Sequence, residues 1–114
     1  MAFVEYADDL TDYDEHTPFE ITETVEGDEH VLVVVGDLDL ATTPQLLDVL
    51  KALPVGAAVR LDLSGVAFID SVGLKALLTA QHRFGDGLTL PGTPDHIVSL
   101  LTLVGIKKLL HLVP

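Results

Sequence analysis

Phe68-Ile69-Asp70-Ser71-Val72-Gly73-Leu74 sets two good helix-capping residues side by side at the point where an apolar run becomes a helical pattern. The first N–H groups of a helix lack partners within it, and either Asp70 or Ser71 could supply an acceptor. A carboxylate also places negative charge at the positive end of the helix dipole, so Asp70 is the expected cap. Ser71 then takes the first helical position with its hydroxyl unemployed. The spacing predicts a helix from about Val72 to Phe84, with Leu74, Leu77 and Leu78 on one side. Ser71, Lys75, Thr79 and His82 form a polar stripe on the other, and Ser71 stands at its exposed top. The local sequence by itself leaves Ser71 open as a second capping residue.

Working outward, strands and helices alternate. Phe19, Ile21 and Val25 fall at odd positions among polar neighbours, predicting an alternating edge strand. Gly27-Asp28 separates it from a continuous β-branched run, His30 to Val35, in the manner of an antiparallel hairpin. Thr43-Pro44 reads as an N-cap with proline at the first helical position; Leu46, Leu50 and Leu53 repeat at helical spacing until Pro54 and Gly56. Ala58 to Leu63 is strand-like. Beyond the central helix, Gly85-Asp86-Gly87 breaks the pattern and Leu88 to Leu90 is a short strand. Thr93-Pro94 repeats the helix-start device ahead of Ile97, Leu100, Leu101 and Val104, and Gly105 is placed to close that helix as a left-handed C-cap. Leu109 to Val113 is the expected last strand. Strands joined through helices pair in parallel by right-handed crossovers, so the expected fold is α/β: a mixed four- to five-stranded sheet with helices mainly on one face.

The 114 residues suffice for one domain, and 48% of them are hydrophobic. The net charge of -12 is unevenly spread: residues 1–29 hold eleven acids and no Lys or Arg, leaving seven acids against six bases afterwards. Residues 1–17 are expected to be a mobile acidic lead-in and residues 18–114 the folded domain. With no basic patch to neutralise phosphates, nucleic acid is not an expected partner. No apolar run approaches the roughly 20 residues of a membrane-spanning helix. The N-terminus lacks a basic start and small-residue cleavage site, and the cytoplasm is the expected compartment. Without cysteine there is no thiol nucleophile or cysteine metal site, and the five histidines lack ligand spacing, so neither metal nor cofactor is expected.

Gly36-Asp37-Leu38-Asp39, Leu61-Asp62-Leu63-Ser64-Gly65-Val66, the opening stretch, and Gly92-Thr93-Pro94 with Val104-Gly105-Ile106 follow one another in an order and spacing that resembles STAS domains, in particular bacterial anti-sigma factor antagonists. The resemblance runs from about Phe19 to Val113. It implies a phosphorylatable serine at the start of the central helix, which by motif position is Ser71. It implies further that the unmodified form binds an anti-sigma factor and thereby releases a sigma factor. The same anti-sigma factor would be the ATP-dependent serine kinase that inactivates the antagonist, with a phosphatase as a further candidate partner. The enzyme in that cycle is the partner, not this chain. Family topology brings the loop after the second strand towards the central helix, so the implied partner surface comprises Asp37, Asp39, Asp70, Ser71, Val72 and Lys75. Two positions depart from the family pattern: Val72 stands where Ser or Thr is common, and Asp37 where Glu is. STAS modules of transporters and signalling scaffolds, in which this serine is not phosphorylated, are the alternative.

Other chemistries fit less well. A serine hydrolase needs Ser71 on a Gly-x-Ser-x-Gly elbow with a histidine and an acid, but Ile69 precedes it by two and no histidine is specially placed. Leu61-Asp62-Leu63-Ser64 resembles the strand end of an aspartate phosphoacceptor domain, yet an adjacent acidic pair and a later strand-terminal lysine are both missing.

Overall fold

The valine-rich run becomes strand β2 (Glu29–Leu38), which lies second in a five-stranded sheet of order β1-β2-β3-β4-β5. The computed structural model describes residues 17–114, so the expected acidic lead-in falls outside it except for Thr17. Strand β1 (Glu20–Glu26) pairs antiparallel with β2 across the Gly27-Asp28 turn. β3 (Ala58–Ile69), β4 (Leu88–Pro91) and β5 (Leu112–Val113) follow in parallel. The crossovers carry helices α1 (Thr43–Ala52), α2 (Ser71–Phe84) and α3 (Asp95–Leu103). The expected mixed sheet is therefore present, with five strands.

All three helices face one side. Leu32, Val34 and Leu38 of β2, Leu61, Leu63, Val66 and Ile69 of β3, and Leu88 and Leu90 of β4 share a single buried cluster with Leu46, Leu50, Leu77, Phe84, Ile97 and Leu101 of the helices. Each fully buried leucine contributes about 1.5–3 kcal/mol by leaving water. The buried face of α2 is Gly73, Ala76, Leu77, Ala80 and Phe84, with Leu74 and Leu78 half-buried at its margins. Its small residues let α2 approach the sheet closely. At Gly73 a Cβ would lie 2.5 Å from the Leu38 carbonyl oxygen and 2.7 Å from Ile69 Cγ1, so only glycine fits there.

Strand β3 runs on past the expected end at Leu63 to Ile69, and over that stretch it absorbs two extra residues relative to β2. Val33 pairs with Asp62 but Val35 with Gly65, and Gly36 pairs with Val66 but Asp37 with Phe68. Each shift is a β-bulge, which breaks strict alternation and re-aims the side chains beyond it. Buried positions thus fall at Leu63, Val66 and Ile69, and Phe68 is turned out to solvent.

The helix ends differ from expectation in instructive ways. Thr43 is the first residue of α1 rather than its cap; it is fully buried and its hydroxyl has no partner among the described residues. Asp39 does the local work instead, accepting from the Ala41 and Thr42 N–H groups through Oδ1 (3.0 and 3.1 Å) and from the Thr43 N–H through its carbonyl (2.8 Å). At α3 the N-cap is Pro94 rather than Thr93. Gly105 behaves as expected: at φ 81° it ends α3 in a Schellman arrangement, with Ile106 N–H bonded to the Leu101 carbonyl (2.9 Å) and Gly105 N–H to that of Thr102 (3.1 Å). The last strand is shorter than expected, because residues Lys107–Leu109 form a turn of 3₁₀-helix and only Leu112–Val113 pair with β4.

Candidate functional site

The carboxyl ends of β2 and β3 and the amino end of α2 meet at one edge of the molecule, and Asp70 is the residue that joins them. Its Oδ1 accepts from the Val72 and Gly73 N–H groups at 2.9 and 3.0 Å, satisfying two of the donors a helix start leaves free. Its Oδ2 accepts from the Leu40 N–H at 3.1 Å, thirty residues away in the β2–α1 loop. Its own N–H donates to the Leu38 carbonyl at 3.2 Å, and its carbonyl accepts from Leu74 at 2.9 Å. One side chain therefore caps α2 and ties the neighbouring loop to it.

Ser71 follows as the first residue of α2 and is exposed. Among the described residues its hydroxyl makes no hydrogen bond, in contrast to those of Thr42, Thr79 and Thr102, which bond to backbone carbonyls. The capping question is thus answered for Asp70, and the Ser71 hydroxyl takes no part in the cap. Val72 is half-buried; Lys75, one turn on, is exposed, and among the described residues no carboxylate lies within ion-pairing distance of it.

Asp37 and Asp39 are brought to the same edge. Asp37 sits at the end of β2, its carbonyl accepting from Thr42 Oγ1 at 2.7 Å. Both aspartates line a recess of about 180 Å³ with Thr17, Pro18, Phe19 and Thr42. Asp39 Oδ1 is committed to its own turn, as described above. The edge is rich in carboxylates with Lys75 as the nearby base of α2, and it carries two exposed apolar residues that sequence reasoning did not single out: Leu40, 71% exposed, and Phe68, 52% exposed. For Phe68 the signal was absent, since its outward turn depends on the bulges. For Leu40 a signal existed, an apolar residue in a turn between Asp39 and the start of a helix.

A third unforeseen residue lies at the opposite end of α2. The Arg83 guanidinium donates to the Leu53 carbonyl (Nε 3.0 Å, Nη2 2.6 Å) and to that of Lys51 (3.0 Å), satisfying carbonyls that α1 leaves free at its end. Gly56 N–H returns a bond to the Arg83 carbonyl at 3.0 Å. Among the described residues no group of three or more potential ligands is placed to hold a metal ion, and no helix is long and apolar enough to cross a membrane.

This fold and this edge define a class. The family model described as "Mlab, STAS domain" matches residues 21–114, and the chain belongs to the STAS domain family. Similar proteins include anti-sigma factor antagonists. The anti-sigma-B factor antagonist of Staphylococcus epidermidis is 32% identical over 95 residues, covering 78% of this chain and 88% of that protein. Among solved structures, an anti-sigma factor antagonist from Mycobacterium paratuberculosis superposes with a TM-score of 0.77 at 26% identity, over 87% of this chain and 90% of that one. The Bacillus cell fate determinant SpoIIAA, in its phosphorylated form, shares the fold at 13% identity, with a TM-score of 0.61 over 85% of this chain and 92% of that one.

Proposed function

We propose that this chain is an anti-sigma factor antagonist which, with Ser71 unmodified, binds an anti-sigma factor, and which that factor inactivates by phosphorylating Ser71. The observation that carries the reading is the division of labour at the start of α2: Asp70 takes the capping role and leaves an adjacent, exposed hydroxyl that has no bond among the described residues. The names of the relatives support the partner class. In this reading the chain acts in the cytoplasm, supplies no catalytic group, and serves as the substrate of a kinase; a phosphatase resets it.

The switch follows from electrostatics. Phosphorylation adds about -1.5 to -2 charges at pH 7 and three strong acceptor oxygens. On the free chain the new group stays in water, and Lys75 at i+4 offsets part of its charge, so the fold survives. In a complex the partner would have to desolvate a dianion beside Asp70, with Asp37 and Asp39 near, and the cost falls on the interface.

The test has two parts. Incubation with purified anti-sigma factor kinases and ATP, read by intact mass, should add one phosphoryl group to the wild type and none to Ser71→Ala. In calorimetric titrations against the same factor, Ser71→Ala should bind and Ser71→Asp should weaken by at least ~1.4 kcal/mol, tenfold in Kd. Equal affinities for the two variants would remove Ser71 from the interface and favour a non-phosphorylated scaffold or transporter module.

A further inference from the structure

An exposed leucine is ordinary on a protein surface. Leu40 differs in being held. Its own N–H is bonded to Asp70 Oδ2 (3.1 Å), and the residues on either side are fixed as well: Asp39 N–H to Thr42 Oγ1 (3.0 Å), Ala41 and Thr42 N–H to Asp39 Oδ1, and Thr42 Oγ1 to the Asp37 carbonyl (2.7 Å). The loop backbone has therefore already lost its conformational freedom in the free protein. Burying the side chain against another surface then costs little further ordering, which is how preorganised interface residues come to dominate affinity. Phe68 lies on the same edge, two residues before Asp70 and paired across the strands with Asp37. The side chain that fixes Leu40 is also the one that caps the helix bearing Ser71.

We propose that Leu40, with Phe68 on the same edge of the sheet, is the apolar anchor of the partner interface, and that Asp70 is the positioning residue that holds its loop to the start of the helix bearing Ser71. The occupant is an apolar recess on the anti-sigma factor, rimmed by Arg or Lys side chains. Charge complementarity carries that choice, because the carboxylates of Asp37, Asp39 and Asp70 border the anchor and Lys75 is the base nearby on α2. The inference rests on the proposed function, to which it adds residues and a shape of contact. It also links anchor and switch, since a phosphate on Ser71 would stand at the rim of the same recess.

The test uses the full chain and an anti-sigma factor serine kinase. Leu40→Ala should bind at least tenfold more weakly than wild type, Leu40→Met within about threefold, and Leu109→Ala, an exposed leucine at the end of the 3₁₀ turn, as wild type. Asp70→Asn separates presentation from capping. One amide oxygen can still accept from Val72 and Gly73, but the amide nitrogen cannot accept from Leu40. Hydrogen exchange at the Leu40 amide should accelerate several-fold while the Val72 and Gly73 amides keep their protection, and affinity should fall with the melting temperature lowered by no more than the few degrees that one exposed hydrogen bond accounts for. A Leu40→Ala variant that binds like wild type, or an Asp70→Asn variant in which all three amides loosen together, overturns the inference while leaving the proposed function intact. Failure of the wild type to bind any such kinase overturns the proposed function itself, and this inference with it.

Discussion

Replacing Asp70 with alanine should unfold the molecule earlier than any change at its neighbour Ser71. The substitution removes acceptors from three backbone donors: Val72 at 2.9 Å, Gly73 at 3.0 Å and Leu40 at 3.1 Å. Loss of an N-cap acceptor costs about 0.5–2 kcal/mol. The bond to Leu40 lies in an exposed loop and adds about 0.5–1 kcal/mol, as water replaces part of it. The expected total is about 1–3 kcal/mol. For a folded unit of this size each kcal/mol shifts the melting temperature by roughly 4–8 °C. Ser71→Ala removes a hydroxyl that bonds to nothing among the described residues and should stay within about 0.5 kcal/mol of wild type. Urea titrations of both variants give the comparison, with an unchanged m value showing that the unfolded state is the same. A Ser71→Ala cost equal to or above that of Asp70→Ala would refute the division of labour between the two residues.

Gly73→Ala should destabilise by about 1–3 kcal/mol in thermal melts despite alanine's better helix propensity, because the added methyl meets the Leu38 carbonyl and Ile69; a neutral or stabilised variant would show that α2 can move away. Arg83→Ala should cost about 1–2 kcal/mol by stripping the Leu53 and Lys51 carbonyls of their donor, and unchanged stability in denaturant would mean that water replaces the guanidinium freely. Gly105→Ala should cost about 1 kcal/mol through its φ of 81°, with hydrogen exchange at the Ile106 amide rising if the Schellman bond opens and staying unchanged if alanine is accommodated.

Much of this molecule was legible because its signals are local. Asp70 as cap, the alternating edge of β1, the leucine repeat of α1 and Gly105 as terminator each depend on a few adjacent residues. What was not legible depends on pairing across the chain. Strand β3 read as ending at Leu63 because two bulges shift its buried positions to Val66 and Ile69, and a bulge is defined only against the partner strand. Thr43 read as a cap because Thr-Pro suits that role locally, whereas Asp39 had already claimed the loop with an Asx-type turn. Asp70 Oδ2 reaching Leu40, and Arg83 reaching Leu53, are contacts thirty residues apart that no periodicity announces. At this edge the exposed place of Ser71 beside its capping neighbour was therefore legible from capping chemistry, while the exposed apolar residues Leu40 and Phe68 emerged only in three dimensions.

Helix α2 is fastened at both ends, by Asp70 at its start and by Arg83 and the Gly56 bond at its finish, and Gly73 keeps it pressed to the sheet. A rod fastened in this way has no hinge and cannot serve as a lever. Under the proposed switch, a change at Ser71 need not wait for domain motions or local unfolding, which run from microseconds to seconds. The delay in a signal passing through this chain is then set by how fast the kinase and phosphatase turn over and by how long each complex lasts, so its tempo belongs to its partners.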